Sequence, residues 1–500
     1  MRVHEVRVHP PGAVPPREEQ LAWKLAAVAA DPAPLDPEAA GMLLNRILDN
    51  AGCALAALGR APVAQAYAQA LARPAADGAT LTGLGPGRRF AVEWAAWANG
   101  VAVRELDFHD TFLAADYAHP ADSIPPVLAV AQRMGRSGAD LLRGLAAAYE
   151  VHVALVKAIC LHRHAIDHVA HLAPAAAAGI GALLGLPVET IYQAVQQALH
   201  VGVSTRQSRK GTISGWKACA PAHAGKLAVE AVDRAMRGGT APTPVYEGED
   251  SVIARVLDGP DAVYRVALPE PGEPRRAVLE TYTKAHSAEY QAQAFIDLAL
   301  RLRPRIGDPA RVRRIVAHTS HHTHKVIGTG SGDPEKFDPG ASRETLDHSL
   351  MYILAVALED GAWHHERSYA PGRAGRPSTL RLWRRIGTRE DPAWTARYHA
   401  ADPAARAFGG RLEVELEDGT VLTEEIAVAD AHPAGARPFG RADYLAKFDT
   451  LAEPVSGPAE RRRFVDAVLG LPDAPAGSLA SLTVAVPEVR LGTALPPGIL

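Results

Sequence analysis

The sequence predicts a mostly α protein with a second, α+β domain, the larger all-helical domain being assembled from both ends of the chain. From about Glu19 to Gly259 one helical pattern follows another with no β-rich segment between them. After Pro274 the apolar alternation becomes strand-like, and from about Ala442 the helical period returns. With 500 residues, 47% hydrophobic and 22% charged, the chain also exceeds the usual size of one core. The expected divisions are residues 1–268 for the first helical part, 269–437 for the inserted α+β domain and 438–500 for the returning segment.

In chain order, "DPEAAGMLLNRILDNAGCALAALG" has an acidic, proline-marked start, apolar residues at helical spacing and an end at Gly59. The run Val169–Val188 is free of Asp, Glu, Lys and Arg and approaches the length of a membrane span. Its alanines, His171 and Pro174 predict a buried helix instead, because alanine contributes little transfer energy. "LPVETIYQAVQQALHVG" opens with Pro187 and stops at Gly202, and "PAHAGKLAVEAVDRAMRGG" ends on Gly238 and Gly239. "YQAQAFIDLALRL" and "LDHSLMYILAVALED" read as helices of the inserted domain. "RVRRIVAHTSHHTH" reads as a strand with alternate histidines on one polar face. "RLEVELEDGTVLTEEIAV", Arg411 to Val428, alternates on both sides of an Asp-Gly turn and predicts a hairpin. "DYLAKFDTL" and "AERRRFVDAVLGL" return the chain to helix.

A formal charge of −3 gives no basic face for nucleic acid, so a small-molecule partner is expected. Cys53, Cys160 and Cys219 stand far apart, which predicts neither a disulfide framework nor a zinc ribbon. The first twenty residues are polar and proline-bearing, without a secretory h-region, and no membrane span is expected, so the chain reads as cytoplasmic.

Titratable groups concentrate in a few stretches. "RELDFHDTFLAADYAHPAD", Arg104 to Asp122, has the density of a metal site, an acid/base pair or a solvated loop. Asp107 and Thr111 would share a helix face if the segment is helical, while Pro120 forces His119 toward extended backbone. "HRHAIDHVAHLAP" carries four histidines but no HExxH glutamate, so no metal is expected, and His168 is the one that leads into the buried helix. "STRQSRKGTISGWKACAPAHAGK" fits no phosphate-loop spacing. Its Arg206 and Arg209 suit carboxylates, and Lys217, at an apolar helix start, requires an anionic partner if buried. "YTKAHSAEYQAQ" places Lys284, His286, Ser287 and Glu289 before a helix, with Ser287 also a candidate N-cap. Without metal spacing elsewhere, an active site leads the readings of the first stretch: Asp107, Thr111 and His119 carry function, while His109, Asp116 and Asp122 are expected to be solvated.

Five blocks, "ANGVAVRELDFHDTFLAADYAHPAD", "AIDHVAHLAPAAAAG", "TRQSRKGTISGWKACAPAHAGKLAV", "KAHSAEYQAQAF" and "SRETLDHSLMYILAVALEDG", resemble in this order the MmgE/PrpD family, over about residues 20 to 450. The resemblance implies a helical domain with a smaller α+β lid, a homodimer, a small tricarboxylate substrate and no cofactor, iron–sulfur cluster included. It further implies a hydro-lyase converting 2-methylcitrate to 2-methyl-cis-aconitate in propionate breakdown, with citrate or cis-aconitate as further substrates. Decarboxylation of cis-aconitate, or epimerisation beside a carboxylate, is the alternative on the same scaffold.

The family's "DFxDT…HP" block falls on Asp107, Asp110, Thr111, His119 and Pro120, its second-helix histidine on His168, and its loop lysine on Lys217 after Arg206 and Arg209. Its later lysine falls on Lys284, where His286 and Ser287 replace an aromatic residue and a proline. The implied catalytic set is Asp107, His119, His168 and Lys217, with Thr111, Arg206, Arg209 and Lys284 binding substrate. His119 and His168 divide the acid and base roles, and the cations stabilise charge developing on the substrate.

Overall fold

The computed structural model describes residues 1–13, 15–400, 402–487 and 495–499. Its first half runs β1 (Arg2–Arg7), α1 (Leu21–Ala30), α2 (Pro37–Ala57), α3 (Ala61–Leu71), β2 (Pro74–Ala79), α4 (Val92–Arg104), β3 (Phe112–Leu113) and β4 (Tyr117–Ala118). It continues through α5 (Ile124–Arg133), α6 (Gly138–Ala158), α7 (Val169–Leu184), α8 (Val188–Gly202), α9 (Trp216–Met236), α10 (Val252–Val256) and β5 (Val263–Leu268). The second part runs α11 (Gln293–Ile306), β6 (Val312–Thr319), α12 (His321–Val326), α13 (Arg343–Leu346), α14 (Leu350–Asp360), α15 (Pro377–Trp383), β7 (Ile386–Glu390), α16 (Pro392–Tyr398), β8 (Gly410–Leu416) and β9 (Val421–Ile426). Helices α17 (Arg441–Ala452) and α18 (Pro458–Leu469) follow. The fold class is therefore mostly α with a smaller sheet-containing region, as the sequence patterns predict.

Local chemistry fixes several of these ends. Asp36 caps α2 by accepting from the Ala39 amide at 3.0 Å, with Pro37 at the first helical position. Ser137 and Asp140 form a capping box at α6. Helix α7 is buried along its whole length, as expected of the alanine-rich run. Among the described residues no helix is long and apolar enough to cross a membrane.

Helices α6 and α7 approach closely where small residues face each other. A Cβ on Gly179 would lie 2.6 Å from the Ala148 Cβ and 2.8 Å from the Gly144 carbonyl oxygen. Because His168 immediately precedes α7, this crossing sets where that imidazole stands. The Gly179→Val substitution is expected to lower stability by about 1–3 kcal/mol through overpacking, read as a lower denaturation midpoint.

In the second part the sheet order is β7-β6-β8-β9, with β6 parallel to β7 and antiparallel to β8. Helices α11 and α14 cover it and share its core. The β8–β9 hairpin turns at Gly419, whose φ of +85° suits glycine. After this region α17 lies against α2, at a point where a Cβ on Gly52 would be 3.3 Å from the Phe448 Cα.

Two local expectations need correction. The helical half is not free of strands: β1 pairs antiparallel with β5, Arg2 opposite Leu268. Only Val6 of β1 is buried, and its partner lies far away in sequence, so local alternation gives little signal. "HTSHHTHK" is not one strand either. Strand β6 ends at Thr319, and Ser320 caps α12 by accepting from the Thr323 amide, which puts His321, His322 and His324 on a helix.

Candidate active site

Helix α4 stops at Arg104, so Asp107 and Thr111 do not share a helix face. Asp107 instead adopts left-handed backbone, φ +49°, a conformation that costs a residue with a Cβ on the order of 1–3 kcal/mol. That turn presents its carboxylate to three cations. Arg104 hydrogen-bonds Oδ1, Lys284 Nζ lies 2.5 Å from Oδ1, and Lys217 Nζ lies 3.1 Å from Oδ2. Burial alone would raise the carboxyl pKa, but Arg104, Lys217 and Lys284 outweigh it and hold the group well below the usual carboxylate range. Thr111 exchanges backbone hydrogen bonds with Tyr282 and donates its hydroxyl to the Ala118 carbonyl at 3.1 Å.

His119, extended before Pro120 as its sequence requires, places Nδ1 2.7 Å from the Asp110 carbonyl. A carbonyl only accepts, so Nδ1 carries the proton and Nε2 keeps its lone pair. Burial, then Arg104 and Lys284, push the imidazole well below its ordinary pKa and keep it neutral. His168 packs edge-on to it at 5.3 Å between ring centres. The tautomer there is the same, but the lone pair is taken. Arg209 donates to His168 Nε2 at 3.2 Å, which occupies that lone pair and leaves the proton on Nδ1. Arg209 is held in turn by Asp167, with Nε 3.3 Å from Oδ2.

A small cavity, about 20 Å³ and therefore room for about one water, opens beside these groups. Asp107, Thr111, His119, Arg206, Arg209 and Lys284 reach its wall, whereas Lys217 and His168 stand one layer behind it. Lys217 finds the anionic partner its burial requires: both Asp347 oxygens accept from it at 2.8 Å. Arg206 has a neutral neighbour, the Tyr117 hydroxyl, 3.0 Å from Nε. In the cavity wall and the layer behind it, five cations (Arg104, Arg206, Arg209, Lys217, Lys284) face three carboxylates (Asp107, Asp167, Asp347), an excess of two positive charges before the lining carboxyl of Glu289 is counted. Asp107, Asp347 and His348 present donor atoms within 4.8 Å of one another, a grouping that could hold a metal ion. The Lys217 ammonium already contacts all three, and Arg104 and Lys284 also bind Asp107, so a divalent cation would meet three fixed positive charges there.

Other lining groups carry no role in the sequence patterns: Arg104, Tyr117, Glu289, His322 and His348. Burial pushes Glu289 up to about 7, so near neutrality it is partly a carboxylic acid. His322 comes from α12 and packs 4.6 Å from His162; treating its segment as a strand hid that direction. The expectation that His109, Asp116 and Asp122 are solvated is overturned, since all three are buried. His109 pairs with Asp122 at 2.8 Å, and Asp116 accepts from the Leu161 amide at 2.8 Å. Ser287 is not an N-cap; its hydroxyl donates to the Leu106 carbonyl at 2.7 Å.

Comparison with known proteins follows the same outline. The family model for the MmgE/PrpD N-terminal domain matches residues 19–265, and that for the MmgE/PrpD C-terminal domain matches residues 286–471. The chain is 28% identical over 413 residues to the 2-methylcitrate dehydratase of Cupriavidus necator, covering 76% of this chain and 79% of the relative. It is 28% identical over 387 residues to the enzyme of that name from Salmonella typhimurium, covering 73% and 76%. Against the mitochondrial 2-methylcitrate dehydratase of Yarrowia lipolytica it is 27% identical over 342 residues, covering 65% and 63%. These relatives are dehydratases acting on a small acid, and with both domain models matched in order along most of its length, the chain belongs to the MmgE/PrpD family.

Proposed function

We propose that this protein is a hydro-lyase that removes water from 2-methylcitrate to give 2-methyl-cis-aconitate. The observation that carries the reading is the buried, neutral His119, with an uncommitted Nε2, beside a cavity with cations in excess of carboxylates. Dehydration of a β-hydroxy acid begins with loss of a weakly acidic proton next to a carboxylate, and His119 Nε2 is the base. Negative charge then builds on that carboxylate. Lys284 and Arg206 meet it, each well-aimed donor contributing on the order of 3–4 kcal/mol. Glu289, in its acid form, protonates the departing hydroxyl, so the cycle leaves one proton on His119 and takes one from Glu289, and solvent exchange resets both.

The other predicted residues act around this centre. Asp107 orients Lys284, Lys217 ties Asp107 to Asp347, His168 fixes Arg209, and Thr111 contacts substrate. A seven-carbon tricarboxylate exceeds the cavity, so residues 269–437, through α12, move outward to admit it. The same reading takes the protein as a cytoplasmic homodimer, checked in solution by light scattering.

Dehydration requires a base at carbon and an acid for the departing hydroxyl, whereas decarboxylation requires only protonation at carbon. Ultraviolet absorbance of the product alkene should appear from 2-methylcitrate, while carbon dioxide release from cis-aconitate should be negligible; the opposite pattern overturns the proposal. Because the acid form of Glu289 is lost as pH rises through about 7, kcat/KM should fall on the alkaline side. The Glu289→Gln variant should lower kcat about 10²-fold and remove that limb.

A further inference from the structure

Helix α17 reaches the catalytic layer through one side chain that the mechanism does not use. The Lys447 side chain is 7% exposed, and its ammonium lies 2.6 Å from Asp49 Oδ1, 2.6 Å from the Phe108 carbonyl and 2.9 Å from the Lys284 carbonyl, over the Phe108 ring at 4.0 Å. The other Asp49 oxygen accepts from the Thr283 hydroxyl at 2.9 Å. One turn earlier on both helices the arrangement repeats. Arg46 of α2 bonds the Tyr444 hydroxyl and the Thr281 carbonyl, each at 2.7 Å. The segment Thr281–Lys284 is thus threaded between α2 and α17 and held at Thr281, Thr283 and Lys284.

Phe108 follows Asp107, and Lys284 Nζ bonds both the carboxylate and the carbonyl of Asp107. A single ammonium therefore grips the main chain on both sides of the Asp107–Lys284 pair. Buried ion pairs are weak sources of stability because desolvation offsets most of the attraction. What this one supplies is direction, with three oxygen acceptors fixed around one nitrogen. We propose that Lys447, braced by Asp49, is a positioning residue that sets the register of Asp107 against Lys284. Its kinetic consequence rests on the proposed dehydration; its structural consequence does not.

The test uses the full chain with Asp49→Asn and Lys447→Met together, which removes both charges at once and nearly preserves volume. The introduced amide oxygen still accepts from Thr283. The denaturation midpoint should fall only modestly, because the Phe108 and Lys284 carbonyls lose their donor, with kcat for 2-methylcitrate lowered about 10- to 100-fold and KM within about twofold, since displacements near 1 Å cost that much in an oriented site. Lys447→Arg, which keeps donors for both carbonyls, should retain more activity. Without substrate, hydrogen exchange in the double variant should quicken in peptides spanning residues 107–111 and 282–286 and stay unchanged along α6. Unchanged exchange in both peptides, or kcat within twofold of wild type, overturns the inference. Absence of turnover by the wild-type protein overturns the dehydration alone, because the exchange result is read without substrate.

Discussion

Replacing His119 with asparagine is expected to lower kcat about 10³- to 10⁴-fold while leaving the protein folded. The asparagine amide can donate to the Asp110 carbonyl, as Nδ1 of the imidazole does at 2.7 Å, so the local main chain keeps its partner. What disappears is the lone pair at Nε2. The variant should also cease to wash solvent deuterium into substrate, because exchange requires the same base even when water is not expelled. His168→Asn provides the control. With its Nε2 already occupied by Arg209, His168 cannot accept a proton without breaking that bond, so its loss should act through Arg209 and raise KM more than it lowers kcat. Equal loss of exchange in both variants would show that the two imidazoles share the base role.

Much of the fold is legible where the signal is local. The Asp36-Pro37 start of α2, the Asp-Gly turn of the β8–β9 hairpin and the alanine-rich α7 each follow from neighbouring residues. Legibility fails where burial is decided from far away. His109, Asp116 and Asp122 look like a polar loop, yet the short β3–β4 hairpin tucks under α6, and Asp116 receives the amides of a segment some forty-five residues on. At Ser320 one capping hydroxyl turns an apparent strand into α12 and swings His322 toward the cavity. The charge of Lys217 demanded an anion, but nothing in its own segment names Asp347, which sits 130 residues away. A cluster built from several distant segments leaves residue types in the sequence, not pairings.

Asp107→Asn should be the most destabilising single change at the centre. The neutral amide would leave Arg104 and Lys284 without their carboxylate, while Lys217 keeps Asp347 at 2.8 Å. Breaking a buried pair while leaving its partner charged costs about 3–5 kcal/mol, which denaturant titration at neutral pH can read. The deficit should depend on pH with a definite sign. The Asp107 carboxyl is held well below the ordinary carboxylate range in the folded protein, so it contributes stability above that range and loses it as pH falls. Wild type and variant should therefore converge on acidification below about pH 4, the ordinary aspartate value. A bound polyanion can also supply the missing charge: citrate should raise the midpoint of the variant more than that of wild type, because ligand binding to the folded state alone adds to its stability. A gap that stayed constant with pH, or equal stabilisation by citrate, would mean that the three cations are balanced by something other than Asp107.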